Sequence, residues 1–347
     1  MRLLILGTGR MADMHAKAFA DIPGVTLAAC ADVREDEAIR FAQVHGIPQV
    51  FTSLDAALAA GGLDAMANVT PDSAHYATTM LALRAGLHVF CEKPLATDAS
   101  HATEMTIAAN EAGVIHGVNL SYRNVAALHA ARTYVASGAL GDLRHFEASY
   151  LQSWLTQPAW GDWRTEDAWL WRLSTAYGST GVLGDVGVHI LDFLTFAAGD
   201  DITSLAADLT TFPKAPGERI GPYTLDANDS VTMLARLDGG AAGVIHASRF
   251  ASGHLNDLSV RLYGTKGGLK LTNAGPLGTL EVCLGDNLGT ATWESVALAP
   301  VKSNFLRFAE AVRAGTGMDP DFATGARLQH LIDAAFDRDG HEIRAVN

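Results

Sequence analysis

The sequence predicts two domains: a doubly wound parallel α/β domain over residues 1–120, then an α+β domain with a large, mainly antiparallel open sheet over residues 121–347. Three observations carry this reading. In the first domain short apolar runs alternate with helical patterns, as in a parallel sheet covered on both faces. Further on, several β-like runs follow one another across glycine-bearing turns, which indicates antiparallel pairing. At 347 residues the chain also exceeds one core, since single cores stop growing at about 250–300 residues.

Residues 2–6 are a short apolar run. A helical pattern follows over 11–20 and ends near Pro23 and Gly24. Residues 25–31 form the next β run, and 34–45 read as a helix up to Gly46, a C-terminal stop. Strands are expected at 65–69, 89–91 and 114–118, with helices at about 73–85 and 99–112 that end on Gly86 and Gly113. After a helix at about 124–137, β-like segments fall at 144–151, 203–211, 229–237, 242–250, 257–263 and 268–272. Asp238-Gly239-Gly240 and Thr265-Lys266-Gly267-Gly268 supply turns between them. Residues 213–222, rich in Gly and Pro, are expected as an exposed loop.

Composition excludes several functions. Lys and Arg number 25 against 38 Asp and Glu, a net charge of -13, which disfavours a nucleic acid partner because phosphate binding needs a basic surface. No apolar run approaches the roughly 18 residues of a membrane span. The first apolar run meets a glycine turn too soon for a signal peptide, so a cytoplasmic protein is expected. Cys30, Cys91 and Cys283 lack CxxC spacing and read as small buried hydrophobes.

The turn Gly7-Thr8-Gly9-Arg10-Met11-Ala12 follows a strand and opens a helix. In that context GxGxxA reads as the pyrophosphate grip of a Rossmann domain: helix N–H groups face the anion, and Gly9 has no Cβ to obstruct it. Asp32, twenty residues past Ala12, ends the second strand, where a carboxylate accepts from ribose hydroxyls and repels a 2′-phosphate. NAD is therefore favoured over NADP. Arg34 either stacks on adenine, accepts a 2′-phosphate or is a solvated charge.

Glu92 and Lys93, in Val89-Phe90-Cys91-Glu92-Lys93-Pro94, stand at a strand's carboxyl end, where ligands of such sheets gather. Alone, the pair is more often an ordinary surface pair. In Gly181-Val182-Leu183-Gly184-Asp185-Val186-Gly187-Val188-His189-Ile190-Leu191-Asp192, helical spacing puts Asp185, His189 and Asp192 on one stripe, separate from the apolar one. Gly184 and Gly187 are poor helix formers, which close approach of a ligand or backbone would explain. His189 and Asp185 lack a third metal ligand, so no metal is expected. A base near neutral pKa suits removal of a hydroxyl proton during hydride transfer, and His189 fits, with Asp185 to orient it.

Together GxGxxA, EKP and GDxGxHxxD resemble the glucose-fructose oxidoreductase / inositol dehydrogenase / MocA (Gfo/Idh/MocA) family, over essentially the whole chain. The resemblance implies a dehydrogenase moving hydride between nicotinamide and a sugar, anhydrosugar or polyol, with Lys93 as catalytic lysine, Asp185 and His189 beside it, and a cis Lys93-Pro94 bond. Cofactor contacts are implied at Gly7, Thr8, Gly9, Arg10, Met11, Asp32, Arg34, Glu92, Lys93 and Asn119. Thr70, Pro71 and His75 resemble the family's TPxxxxH element along the dinucleotide, although His75 by itself reads equally as helix-face packing. Tyr122-Arg123 resembles the motif at the domain junction, with Asn124-Val125-Ala126 replacing the usual proline.

Trp154, Trp160, Trp163, Trp169 and Trp171 cluster in one stretch. They form either core or interface packing or an aromatic wall over substrate. This stretch and Arg249-Phe250 look like the family branch acting on anhydrosugars, sugars and inositols. Tyr122, Arg123, Trp163, Arg172, Lys93, Asp185 and His189 are then the expected substrate contacts. A homodimer or homotetramer is implied by the resemblance. The same fold also hosts NAD-dependent glycosidases and non-catalytic NAD-binding regulators, but the filled polar positions favour an enzyme.

Overall fold

Apolar strands without polar alternation are stable only when both sheet faces are covered. In a computed structural model describing residues 1–337 and 344–345, strands β1 (Arg2–Leu6), β2 (Thr26–Ala31), β3 (Gln49–Phe51), β4 (Ala65–Asn68), β5 (His88–Cys91) and β6 (His116–Val118) alternate with helices. These are α1 (Arg10–Ala20), α2 (Glu35–His45), α3 (Leu54–Ala60), α4 (Asp72–Arg84) and α5 (Ala99–Ala112). All six strands are parallel, in the order β3-β2-β1-β4-β5-β6. Leu3, Leu4 and Ile5 of β1 are fully buried. The winding reverses between β1 and β4, and such a switch leaves a crevice at the strands' carboxyl ends. β3 and α3 lie outside the sequence expectation because three strand residues carry too little pattern.

In the second unit, α6 (Ala126–Ala136), the single-turn α7 (Asp167–Leu170) and α8 (Val188–Ala198) accompany the sheet. Its strands are β7 (Leu143–Leu151), β8 (Ile202–Thr210), β11 (Ser230–Leu237), β12 (Ala242–Ser248), β13 (Asp257–Gly264), β14 (Gly267–Thr272), β15 (Thr279–Leu284), β16 (Glu294–Ser295) and β17 (Arg344–Ala345). β9 (Arg219–Ile220) and β10 (Tyr223–Thr224) form a separate small hairpin. The nine-stranded order is β16-β15-β14-β13-β7-β12-β11-β8-β17. Neighbours are antiparallel except β7 and β12. β11 shows the period-2 cause: Val231, Met233, Ala235 and Leu237 are buried, while Thr232, Leu234 and Arg236 are exposed. No helix among the described residues is long and apolar enough to cross a membrane.

Three features differ from the sequence reading. First, Lys302–Gln329 folds with Met1–Ser121, so the division is not simply 1–120 and 121–347. On α9 (Asn304–Ala314), Phe305 lies 5.2 Å from Phe19 and 5.4 Å from Phe90, and Phe308 lies 5.2 Å from Phe90. Sequence separation hides that aromatic cluster. Second, α8 is preceded by one π-helical turn, Leu183–Gly187. Gly184 answers to the protein itself, since a Cβ there would fall 2.0 Å from Thr180 Oγ1 and 2.4 Å from Thr180 Cβ, whereas one on Gly187 would meet only the end of the Leu183 side chain, at 2.9 Å. Third, the 213–222 loop is not uniformly exposed: the Lys214 amine is fully buried against Asp229 at 2.6 Å.

Phe308 is fully buried in this cluster. Phe308→Ala is expected to lower stability by about 3–5 kcal/mol, measured by urea unfolding; a loss below about 1 kcal/mol would remove α9 from the first unit's core.

Candidate active site

Past the strand ends of the first unit the backbone keeps bonding sideways. The N–H of Gly7 donates to Ala31 O at 2.8 Å, Val69 to Leu6 O at 2.8 Å, Glu92 to Asn68 O at 3.0 Å and Asn119 to Cys91 O at 2.7 Å. These bonds set the glycine turn, Thr70, Glu92 and Asn119 side by side at the carboxyl ends of the strands. Gly7 has φ +87° and room for no side chain, because a Cβ would sit 2.6 Å from Val69 O. Gly9 is different: it is exposed, and a Cβ there would meet nothing within 4 Å. The fold itself gives no reason for its lack of a side chain, whereas a close-lying ligand does. Gly9 leads into α1, which has no side-chain cap, leaving first-turn N–H groups of the kind that bind anions. Arg10 and Met11 are exposed beside it.

Asp32 ties this turn to the end of β2. Its Oδ2 accepts from the Thr8 N–H and Oγ1, both at 2.9 Å, and its Oδ1 from the Arg34 N–H at 3.0 Å. Burial pushes the carboxyl upward, but these donors and the Arg34 charge outweigh it and hold the group below its ordinary value. The Thr8 side chain is thus engaged internally. Arg34 lies with Nε 3.6 Å from Asp32 and its side chain mostly exposed.

Glu92 and Asn119, expected among the cofactor contacts, are instead buried in an internal network. Glu92 Oε1 faces His15 Nε2 at 2.5 Å and accepts from Asn119 Nδ2 at 2.7 Å, while Oε2 accepts from the Lys93 N–H at 3.2 Å. Burial would raise the Glu92 carboxyl, yet the bond and charge of His15, with Asn119 and Lys93, hold it down to about 2. Asn304 on α9 donates to Asn119 Oδ1 at 3.3 Å and to Leu120 O at 2.9 Å. His15 and Asn304 are absent from the sequence-derived site. The one signal for His15 is a polar side chain on the buried face of α1. Lys93 itself is half-buried, and its bond to Pro94 is cis. Pro71 is the N-cap of α4, and Thr70 Oγ1 donates to Asn68 Oδ1 at 2.7 Å. His75 is fully buried between the Thr70 and Pro94 carbonyls.

In the second unit Tyr122 and His189 come together, their rings edge to face at 5.0 Å. The Tyr122 hydroxyl bonds to that of Tyr150 at 2.7 Å, and Tyr150 donates to Asn256 Oδ1 at 2.8 Å. Burial raises both phenols above their ordinary range. Arg123 differs from its expected substrate role. It is buried in a two-pronged ion pair with Asp192 at 2.8 and 2.7 Å, with Phe196 stacked 3.8 Å from its guanidinium. Asp192 therefore leaves the chemical stripe for the interior. Asp185 Oδ2 accepts from Arg249 Nη2 at 3.0 Å and lies 3.8 Å from Arg172 Nε. Arg249 is entirely buried and also holds the carbonyls of Arg172 and Gly181. Its isolated position in a β-like run gave no cue to that role. Arg172 is half-buried and donates to Ala168 O at 2.7 Å.

The tryptophans divide. Trp154 and Trp163 are buried in a small core with Leu155, Leu170, Leu173 and Leu225, and the Trp163 N–H is satisfied by Leu155 O at 3.2 Å. Trp163 thus belongs to packing, not to an open wall. Trp171 is exposed, with the Arg172 guanidinium 4.6 Å from its ring centre.

Residues 1–120 match the family model described as an oxidoreductase family with an NAD-binding Rossmann fold, and residues 128–270 match the GFO/IDH/MocA C-terminal domain. Levoglucosan dehydrogenase of Pseudarthrobacter phenanthrenivorans is 29% identical over 213 residues, 58% of this chain and 53% of that protein. The 1,5-anhydro-D-fructose reductase of Ensifer adhaerens is 37% identical over 164 residues, 46% of this chain and 45% of that one. The chain thus spans about half the length of these curated relatives. An oxidoreductase domain protein from Kribbella flavida has a solved structure similar over 100% of this chain and 99% of that one, with a TM-score of 0.87 and 26% identity.

Because the folded Glu92 carboxyl sits near 2 against an ordinary 4.5, its contribution is present above pH 4.5 and is lost as pH falls toward 2. Wild type is expected to lose stability more steeply than Glu92→Gln between those values. Urea unfolding at several pH values checks this, and parallel acid limbs would contradict it.

Proposed function

The chain belongs to the GFO/IDH/MocA family of NAD-binding oxidoreductases, and we propose that it oxidises a hydroxyl-bearing carbon of a sugar, anhydrosugar or polyol with NAD. The observation that carries this reading is the carboxyl end of the first unit's sheet. There an exposed Gly9 without a packing role, the ionised Asp32 and the Lys93 turn are aligned by backbone bonds. Those residues fit a dinucleotide: α1 offers N–H groups to the pyrophosphate, and Asp32 keeps lone pairs for ribose hydroxyls.

Bound NAD supplies the hydride acceptor. The Lys93 ammonium fixes the substrate hydroxyl and stabilises alkoxide character as the C–H bond breaks. In the same reading His189 is the base that takes the hydroxyl proton, so that carbon loses a hydride and oxygen a proton, leaving a carbonyl. Asp185, held by Arg249, is assigned to orient His189. The substrate class follows the named activities of the relatives, levoglucosan dehydrogenase and 1,5-anhydro-D-fructose reductase. Arg172 and Tyr122 are assigned to substrate contact. Assembly as a homodimer or homotetramer through the exposed face of β11 and its neighbours belongs to the same reading.

Absorbance of NADH across a panel of anhydrosugars, monosaccharides and inositols, run with NAD and NADP, tests it. Turnover is expected with NAD, and Lys93→Met is expected to reduce kcat at least a thousandfold while NAD still binds; a fully active variant refutes the role of Lys93. Release of free sugar from a glycoside without net NADH would indicate a hydrolase instead. Asp32→Ala is expected to narrow the preference for NAD over NADP, since it removes the charge that repels a 2′-phosphate.

A further inference from the structure

We propose that His75 is a positioning residue that works as a permanent imidazolium, its two N–H groups pinning the Thr70-Pro71 turn to the Lys93-Pro94 turn. The ring is fully buried, with Nδ1 2.7 Å from the Pro94 carbonyl oxygen and Nε2 3.0 Å from that of Thr70. Carbonyl oxygens only accept. A neutral imidazole has one N–H, so one contact would set a nitrogen lone pair against an oxygen lone pair. Only the doubly protonated ring satisfies both, and buried polar atoms are strongly driven to be satisfied.

The surroundings agree with that geometry. The titratable groups bearing on the ring are Cys91 at the end of β5 and Asp72 in the first turn of α4. Burial alone disfavours the charge, but the Cys91 sulfur, Asp72 and the Pro94 carbonyl outweigh it and raise the group to about 10. The consequence is mechanical. Thr70 follows β4 and Pro94 follows β5, and β4 is paired with β5. The two turns beyond those strands are joined through one side chain at the level of Lys93. Glu92 is fastened on the other side by His15 and Asn119. Lys93 is thereby anchored through both of its chain neighbours. That these turns border a dinucleotide rests on the proposed function; the charge of His75 does not.

Nitrogen-15 NMR of ring-labelled histidine in the intact protein tests the charge. The His75 signals are assigned by their loss in His75→Gln or, if that variant does not fold, by proximity to Pro94 protons. Both nitrogens are expected to carry protons from pH 6 to 8.5, and still to do so in Cys91→Ala. A bare nitrogen at pH 8, titration near 6.5, or loss of one proton in Cys91→Ala would overturn the proposal, the last by showing that the sulfur and not the carbonyls holds the charge. Calorimetric titration with NAD tests the positioning: affinity is expected to fall about tenfold in folded His75→Gln, and unchanged affinity there overturns it. Failure of the wild type to bind NAD would refute the cofactor reading while leaving the NMR result to decide the charge.

Discussion

A buried carboxylate stays ionised only where donors meet it, and much of the first unit is arranged around meeting that of Glu92. His15 comes from α1, the helix that the glycine turn opens; Asn119 comes from just past β6; the Lys93 N–H closes the remaining side. One anion thus ties the middle of the first helix to the ends of two strands. Asn119 is oriented in turn by Asn304, which asks α9 to return to this unit after the chain has passed through residues 122–301 of the second unit. The Phe19, Phe90, Phe305 and Phe308 rings make that return favourable by apolar burial. A polar constraint sets the geometry, and hydrophobic packing supplies most of the stabilisation.

The second unit solves a related problem with cations. Arg249 is fully buried and gathers Asp185 with the carbonyls of Arg172 and Gly181, so it fixes the segment that leads into the π turn and α8. Arg123 with Asp192, and Lys214 with Asp229, are likewise enclosed. Such pairs give little net stability over apolar replacements, but losing one partner is costly. Their structural effect is to fix the path of the chain where glycines make helix propensity weak. Asp185 and His189 stand one helical turn apart in a segment whose geometry is set by these neighbours more than by its own sequence.

Much of the fold was legible because it rests on local periodicity. β1, β2, β4 and β5 announce themselves as apolar runs, and β11 to β14 as alternation with turn residues between them. β3, β15 and the return of α9 were not legible: the first is too short for a pattern, and the last depends on aromatic contacts between residues remote in sequence. The site divides the same way. Gly7, Asp32, Lys93 and His189 could be named as candidates from motif and spacing. Glu92, Asn119 and Arg123 could be named too, but whether such a side chain reaches outward or is held inside depends on neighbours that spacing does not reveal.

The sequence by itself therefore determined the alternation of strands and helices, the change from parallel to antiparallel pairing, and the residue types needed at the glycine turn and the lysine. These follow from steric rules acting over a few residues. Tertiary structure alone decided what each polar side chain is for. It turned Glu92 and Asn119 inward to meet His15, buried Arg123 on Asp192, enclosed Trp163, and set both nitrogens of His75 against carbonyls. Those outcomes depend on which donor, acceptor or ring the rest of the chain brings within about 3–5 Å, a distance range over which hydrogen bonds and aromatic contacts are made or lost.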